Sequence, residues 1–364
     1  MTASQASAGY HDQMSLRRRD RRGERLALVV SMAAVALAVF VALHAVAAAP
    51  EPSALLTVQA TPVPLDPSDA SRSVVGRLRF LGGLWLRSDD ARFGGLSDLR
   101  VSPDGSRLTA VTDCGSGFTA RLSYDVEGRL VGLGDPKLVA LTDAGGQPLT
   151  RDEIDAESLM VVGSDEVDVG FEGRGAIRAY APDFAGPARV LPTPEGLREC
   201  GGNGGLELIA DAGEGRRLLV CETRRGASQT VPAWIGSGDG WQPREYPLTF
   251  DGGWGGEPFR PTGAARLSNG DMLVLERRFP PLAARLVRVT RETLDGTGLL
   301  QGSELARLEA PLSIDNFEGV EVLRDTRGRT VVYLLSDDNN CAKGAGVRGL
   351  SPQRTLLLQF ALAE

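Results

Sequence analysis

A hairpin pattern that recurs five times limits what this chain can fold into more than any other feature. Each copy has a small residue, an apolar strand, a turn holding Gly or Asp, a second β-rich strand and an acid at its end. The copies are GLSDLRVSPDGSRLTAVTD (95–113), AESLMVVGSDEVDVGFE (156–172), GLELIADAGEGRRLLVCE (205–222), GAARLSNGDMLVLE (263–276) and GVEVLRDTRGRTVVYLLSD (319–337). Turns such as Pro103-Asp104-Gly105 and Asn269-Gly270 supply the backbone angles that tight hairpins need. A further strand pair fits between copies, as in LVRVT (286–290), which makes a four-stranded unit every ~50–60 residues, the blade of a β-propeller.

Five full copies leave an unmatched segment at each end. The expected fold is therefore all-β, a six-bladed propeller of four-stranded blades. Its last blade is closed by VGRLRFLGGLWL (75–86) pairing with RTLLLQFAL (354–362). Closure of that kind removes exposed strand edges. An open sandwich is the competing architecture, but a sandwich does not repeat a hairpin with an acid at one end.

The amino terminus carries Arg17, Arg18, Arg19, Arg21, Arg22 and Arg25, followed by an uncharged run to Ala49. The 18 residues from Leu26 to Leu43 approach the ~20 that span a bilayer. The alternative is a cleaved signal peptide ending in Ala45-Val46-Ala47-Ala48-Ala49. The expected organisation is a cytoplasmic basic segment (1–25), a signal anchor or signal peptide (26–49), a proline-rich tether (50–73) and the propeller (74–364). With arginines held inside, the propeller lies in the periplasm, attached to the inner membrane or secreted after cleavage.

The chain carries a net charge of −7, and the first 49 residues hold six arginines against Asp12, Asp20 and Glu24, so the exported part is near −10. Nucleic acid is not an expected partner. The two histidines, His11 and His44, precede the propeller, which excludes a Ser-His-Asp triad, a Cys-His dyad or a His-ligated zinc within it. Lysine is limited to Lys137 and Lys343. Chemistry must then come from carboxylates, amides, arginines, hydroxyls or a hard metal.

Blade geometry gathers inner-strand starts and second-strand ends on one face, around the central channel. The first group is Asp98, Asp155, Glu157, Asn203, Glu207, Thr262, Asp315, Asn316 and Glu318. The second is Asp113, Glu172, Glu222, Glu276, Asp337, Asp338 and Asn339. Crowded carboxylates need a raised pKa, an arginine partner or a cation. Calcium fits the oxygen-rich set best and magnesium second. Glu157, Asn203, Glu207, Asn316, Glu318 and Asp338 are the expected ligands, and Glu157, Glu318 and Asp337 the expected catalytic carboxylates. Arg277, Arg278 and Arg224 follow second-strand acids and are the candidates to grip a small anionic or ester substrate. Acids at strand ends also cap turns or pair with arginine, and a rim that only binds a ligand or an envelope partner is the alternative to a hydrolase.

Trp254, Phe259, Phe279 and Phe317 flank the rim and are candidates for pocket walls, although aromatics there also pack between blades. Cys200 and Cys221 fall at the two ends of one hairpin and are expected to bridge, and Cys114 and Cys341 form a second expected pair beside the closing blade, the alternative being two free thiols if they lie too far apart.

The chain resembles the esterase-like, phytase-type domain family of exported bacterial proteins. The segments that carry the resemblance are FGGLSDL (93–99), DAESL (155–159), NGGLELI (203–209), PTGAARL (261–267), LERRF (275–279), DNFEGV (315–320), SDDNN (336–340) and QRTLLLQF (353–360). The resemblance implies a propeller and hydrolysis of ester or phosphoester bonds. A second analogy is to calcium-dependent propeller lactonases, whose type of ligand Glu157, Asn203 and Glu318 match.

Overall fold

The computed structural model describes residues 56–173, 175–200, 205–224, 226–238, 240–251, 256–340 and 353–363. The amino-terminal segments expected to direct export lie outside the described residues. Among the described residues no helix is long and apolar enough to cross a membrane.

The chain enters through β1 (Gln59–Pro62), β2 (Val74–Val75) and β3 (Leu78–Arg87). Four complete blades follow. They are β4–β7 (Leu96–Val101, Arg107–Thr112, Ser116–Tyr124, Leu130–Ala140) and β8–β11 (Ala156–Val162, Glu166–Phe171, Ala176–Tyr180, Arg189–Leu191), then β12–β15 (Leu206–Gly213, Arg216–Cys221, Thr230–Ser237, Gly240–Pro247) and β16–β19 (Arg260–Arg266, Met272–Arg278, Ala283–Val289, Ser303–Glu309). β20 (Asn316–Arg324), β21 (Thr330–Asp337) and β22 (Thr355–Leu362) then pair with β3 to complete a fifth blade. The inner strands β4, β8, β12, β16 and β20 each pack against the next, and β20 returns to β4.

The propeller thus has five blades among the described residues, not six. The expected closing pair forms, from Leu78↔Leu362 to Leu86↔Thr355. It does not build a blade of its own, because the fifth hairpin is followed by a single strand. That hairpin takes β22 as its third strand and β3 as its fourth. β1 lies within the span expected to be a tether and pairs along the outer edge of β3.

Apolar runs such as TVVYLLSD and TLLLQFAL are buried on both faces, and the core shows why. Val332, Leu334, Leu356, Leu358 and Phe360 pack towards the fourth blade, while Val331, Tyr333, Leu335 and Leu357 pack towards the first. Alternation sends successive side chains into different seams. Each of the other seams holds its own cluster. Two glycines allow the inner strands to approach closely: a Cβ on Gly263 would lie 2.5 Å from the Glu318 carbonyl oxygen, and one on Gly319 would lie 2.7 Å from Leu99 Cδ2.

Candidate functional site

Every inner strand begins with the same irregularity. The ladder skips one residue between Leu96 and Asp98, Ala156 and Ser158, Leu206 and Leu208, Pro261 and Gly263, and Phe317 and Gly319. A bulge re-aims the side chain it carries, and here it carries Ser97, Glu157, Glu207, Thr262 and Glu318. One pair further out, the second strands contribute Asp113, Glu172, Glu222, Arg277 and Asp337. Their positions are fixed by amide bonds from Asp113 to Gly95 O (3.0 Å), Glu172 to Asp155 O (2.9 Å) and Glu222 to Gly205 O (3.2 Å), and by the pairs Arg260↔Arg277 and Asn316↔Asp337. Two tiers therefore ring one mouth of the channel, with seven carboxylates against one guanidinium.

These groups act on one another across the mouth. Burial, followed by the charges of Glu207, Glu318, Asp155 and Glu172, holds the Glu157 carboxyl well above the usual carboxylate range. Burial and then Glu222 and Glu318 do the same to Glu207, against the pull of Arg277. Glu318 is pushed by burial to about 7, with Arg277 opposing the rise. Burial and the neighbouring charge of Asp337 take Asp113 to about 8. Asp337 is also raised well above its ordinary value, by burial and then Glu318. Gly95 makes room for Asp113: a Cβ there would meet Asp113 Oδ1 at 1.9 Å, and this buried oxygen has no hydrogen-bond partner among the described residues.

Arg277 divides the mouth. It donates to Asn316 Oδ1 and lies 3.3 Å from Glu318 Oε1 and 3.7 Å from Glu222 Oε1. Asn316 Nδ2 in turn donates to Glu318 Oε1 at 2.7 Å. On the other side, Asp155, Glu157 and Glu172 bring carboxylate oxygens within 4.8 Å of one another. A calcium ion 2.3–2.6 Å from each ligand separates opposed ligands by at most about 5 Å, so this trio fits around one.

The expected site residues divide accordingly. Glu157, Glu207, Glu318 and Asp337 meet at the mouth, and Asn203 lies outside the described residues. Asn316 serves Arg277 and Glu318. Asp338 holds the loop before β4 by accepting from the Gly95 amide at 2.8 Å. Asp315 pairs with Arg354 at 3.2 Å and Asn339 donates to Gln353, so both serve the closing blade. Two expectations move off the rim. Glu276 sits one residue inside it, accepting from Tyr246 Oη at 2.7 Å and from Arg285, because it pairs with Pro261, one step short of the outer-tier position that Arg277 occupies opposite Arg260. Asp98 lies past its bulge and points into the ring, accepting from the Leu159 amide at 2.9 Å.

Of the candidate substrate-binding arginines, Arg278 is paired with Asp251 and packs against Phe259 beside Arg285 and Arg307. Arg224 stacks over Phe250 at 5.8 Å. Phe259 and Phe317 are fully buried in the blades and wall no pocket, Phe279 is exposed, and Trp254 lies outside the described residues. Asp155 and Glu172 were legible as rim acids, but nothing in the sequence singled them out as the trio around Glu157.

The mouth is a cup rather than a pore. Arg100, three residues past the first bulge, donates to Asp98 Oδ1 (3.0 Å), Val320 O (3.3 Å), Ile209 O (3.1 Å) and Ala264 O (3.5 Å). Its guanidinium thus reaches the strands of three other blades and fills the axis. The equivalent positions on β12 and β16 are the small Ala210 and Ala265, which leave it room.

The bridge Cys200–Cys221 is present, with Cα atoms 6.1 Å apart, and ties the short 3-10 helix Leu197–Cys200 to the end of β13. Cys114 is also disulfide-bonded, while its expected partner Cys341 lies outside the described residues.

The family model described as "Phytase-like: Esterase-like activity of phytase" matches residues 91–340. No curated protein matches. Among solved structures, the WD40 repeats of RRP9 are 13% identical, with 84% of this chain and 100% of that one covered and a TM-score of 0.41. A luciferin-regenerating enzyme is 10% identical, with coverages of 74% and 93% and a TM-score of 0.41. A streptogramin B lyase is 10% identical, with coverages of 83% and 98% and a TM-score of 0.35.

Proposed function

The chain belongs to the phytase-like family described as esterase-like activity of phytase, and from that premise we propose that its acidic mouth is a cation-dependent hydrolytic site for a small anionic ester or phosphoester. The observation that carries the reading is the convergence of Asp155, Glu157 and Glu172 within 4.8 Å, across the mouth from Arg277. Those three carboxylates, with Glu207 beside them, would hold the cation, calcium in preference to magnesium. When bound, such an ion supplies Lewis-acid polarisation and a more acidic water.

The remaining work falls to the chain's own groups. Arg277, held in place by Asn316 and Glu318, orients an anionic oxygen of the substrate. Glu318, poised at about 7, can take a proton from water or return one to a leaving oxygen. Among the described residues Arg277 is the guanidinium within the two tiers, with Arg278 held by Asp251 and Arg224 stacked over Phe250, which favours a substrate with one negative group over a polyphosphate. The Arg100 floor blocks passage through the disc, so substrate enters and product leaves by the same mouth. Export to the periplasm, with the basic amino terminus left inside, accords with the two disulfide-bonded cysteine sites.

The test is calorimetric calcium titration followed by an ester, lactone and phosphoester panel with and without chelator. Chelator-sensitive turnover is expected, with Glu157→Gln weakening calcium by more than about tenfold, the lower bound for disturbing even an outer partner of a metal. Calcium binding without turnover on any panel member would instead favour a ligand-binding propeller.

A further inference from the structure

The opposite mouth of the channel has the reverse chemistry. Below the Arg100 floor, where the inner strands end, lies a cavity of about 730 Å³. Its walls are apolar, from Met160, Val161, Val322 and Leu323, and its rim carries Arg107, Arg266 and Arg324. Arg107 and Arg266 are exposed side chains with light duties. Arg107 donates one Nη2 bond to Pro182 O at 3.0 Å, and Arg266 approaches Asp211 no closer than 3.6 Å. The two acids present are already committed, since Asp211 accepts from the Gly213 amide at 2.8 Å and Glu321 accepts from the Val322 amide at 2.6 Å and lies 3.8 Å from Arg100. Val161 is left 44% exposed on the wall.

We infer that this second mouth binds a small amphipathic organic anion, with its apolar body against Met160 and Val161 and its carboxylate, sulfonate or phosphate at Arg107 and Arg266. The volume falls in the range of small-molecule sites, about 300–1,000 Å³, which pair apolar walls with a few placed charges. In a chain of net charge −7, cations gathered around an apolar hollow mark a local preference for an anion. Arg100 separates this mouth from the acidic cup, so binding here does not depend on the hydrolytic reading.

The experiment titrates the full chain with 2-naphthalenesulfonate by calorimetry, using neutral 2-naphthalenemethanol as control. Saturable, salt-sensitive binding of the sulfonate is expected, with the alcohol at least tenfold weaker. Arg107→Glu and Arg266→Glu should each weaken the sulfonate by about tenfold or more, and Arg266→Lys should retain most of the affinity. Val161→Trp, at an exposed wall position, should block the cavity without touching the core, and melting curves verify that each variant is folded. Glu157→Gln should bind the sulfonate like the parent. Absence of saturable binding, equal binding of the alcohol, or folded charge-reversal variants with unchanged affinity would overturn the assignment.

Discussion

At the residue scale, the mouth is governed by protons as much as by geometry. Glu318 and Asp113 keep their protons to about 7 and 8, and Glu157, Glu207 and Asp337 are also raised. In an unfolded chain the same acids ionise near 4. Between those limits the folded state binds more protons than the unfolded one, so stability is full at low pH and falls as pH rises through the folded values. The slope is about 1.4 kcal/mol per pH unit for each proton concerned. A bound cation removes the penalty by favouring the ionised carboxylates. Chelated protein should therefore melt progressively lower from pH 5 to pH 8, at roughly 2–4 °C per kcal/mol. Added calcium should raise the melting temperature far more at pH 8 than at pH 5. Scanning calorimetry at the two pH values reads the difference, and a calcium effect independent of pH would contradict it.

At the scale of elements, each hairpin is visible in the sequence because its strands are buried on both faces and its turns need particular residues. The bulge is not visible. It recurs in all five copies without altering the apolar pattern, but the fourth copy carries its acid one residue early: Glu276 pairs with Pro261 where the other copies have Thr112, Phe171, Cys221 and Ser336, so Arg277 takes the mouth position. That single offset turns an apparent all-acid ring into one with a cation, and it decides which arginine faces a substrate. The blade count was obscured for a different reason. The sequence displays β22 and β3 as an orphan pair, and only the pairing of β22 with β21 shows that they finish the fifth hairpin. Spacing did make the Cys200–Cys221 bridge legible, since one cysteine precedes an inner strand and the other ends its partner. A sequence separation of 21 predicts a stabilisation of about 3 kcal/mol in the loop-entropy model. The double variant Cys200→Ser, Cys221→Ser should lose about that much in urea unfolding, measured without reductant so that Cys114 stays paired. A loss below about 1 kcal/mol would show that the loop is already restrained when unfolded.

At the scale of the whole molecule, five blades meet at two side chains. Asp98 and Arg100 sit on β4, and between them they bond to the Leu159 amide of β8 and to the Ile209, Ala264 and Val320 carbonyls of β12, β16 and β20. Glu321 completes the group at 3.8 Å from Arg100. Arg100 is what makes two buried acids tolerable: burial pushes Asp98 to about 6 and Glu321 to about 7 even with the guanidinium lowering both. Arg100→Met keeps the apolar stem and removes the charge. Loss of one partner from a buried charge cluster costs about 3–5 kcal/mol while the remaining acids must stay ionised. Without the guanidinium their pKa values rise further, so at pH 5 both acids hold protons in the folded variant and the cost shrinks. The variant should thus be strongly destabilised at pH 8 and much less so at pH 5, as measured by urea unfolding at each pH. Equal losses at the two values would mean that Arg100 contributes through its carbonyl bonds alone, and that the acids on the axis carry no charge for it to balance.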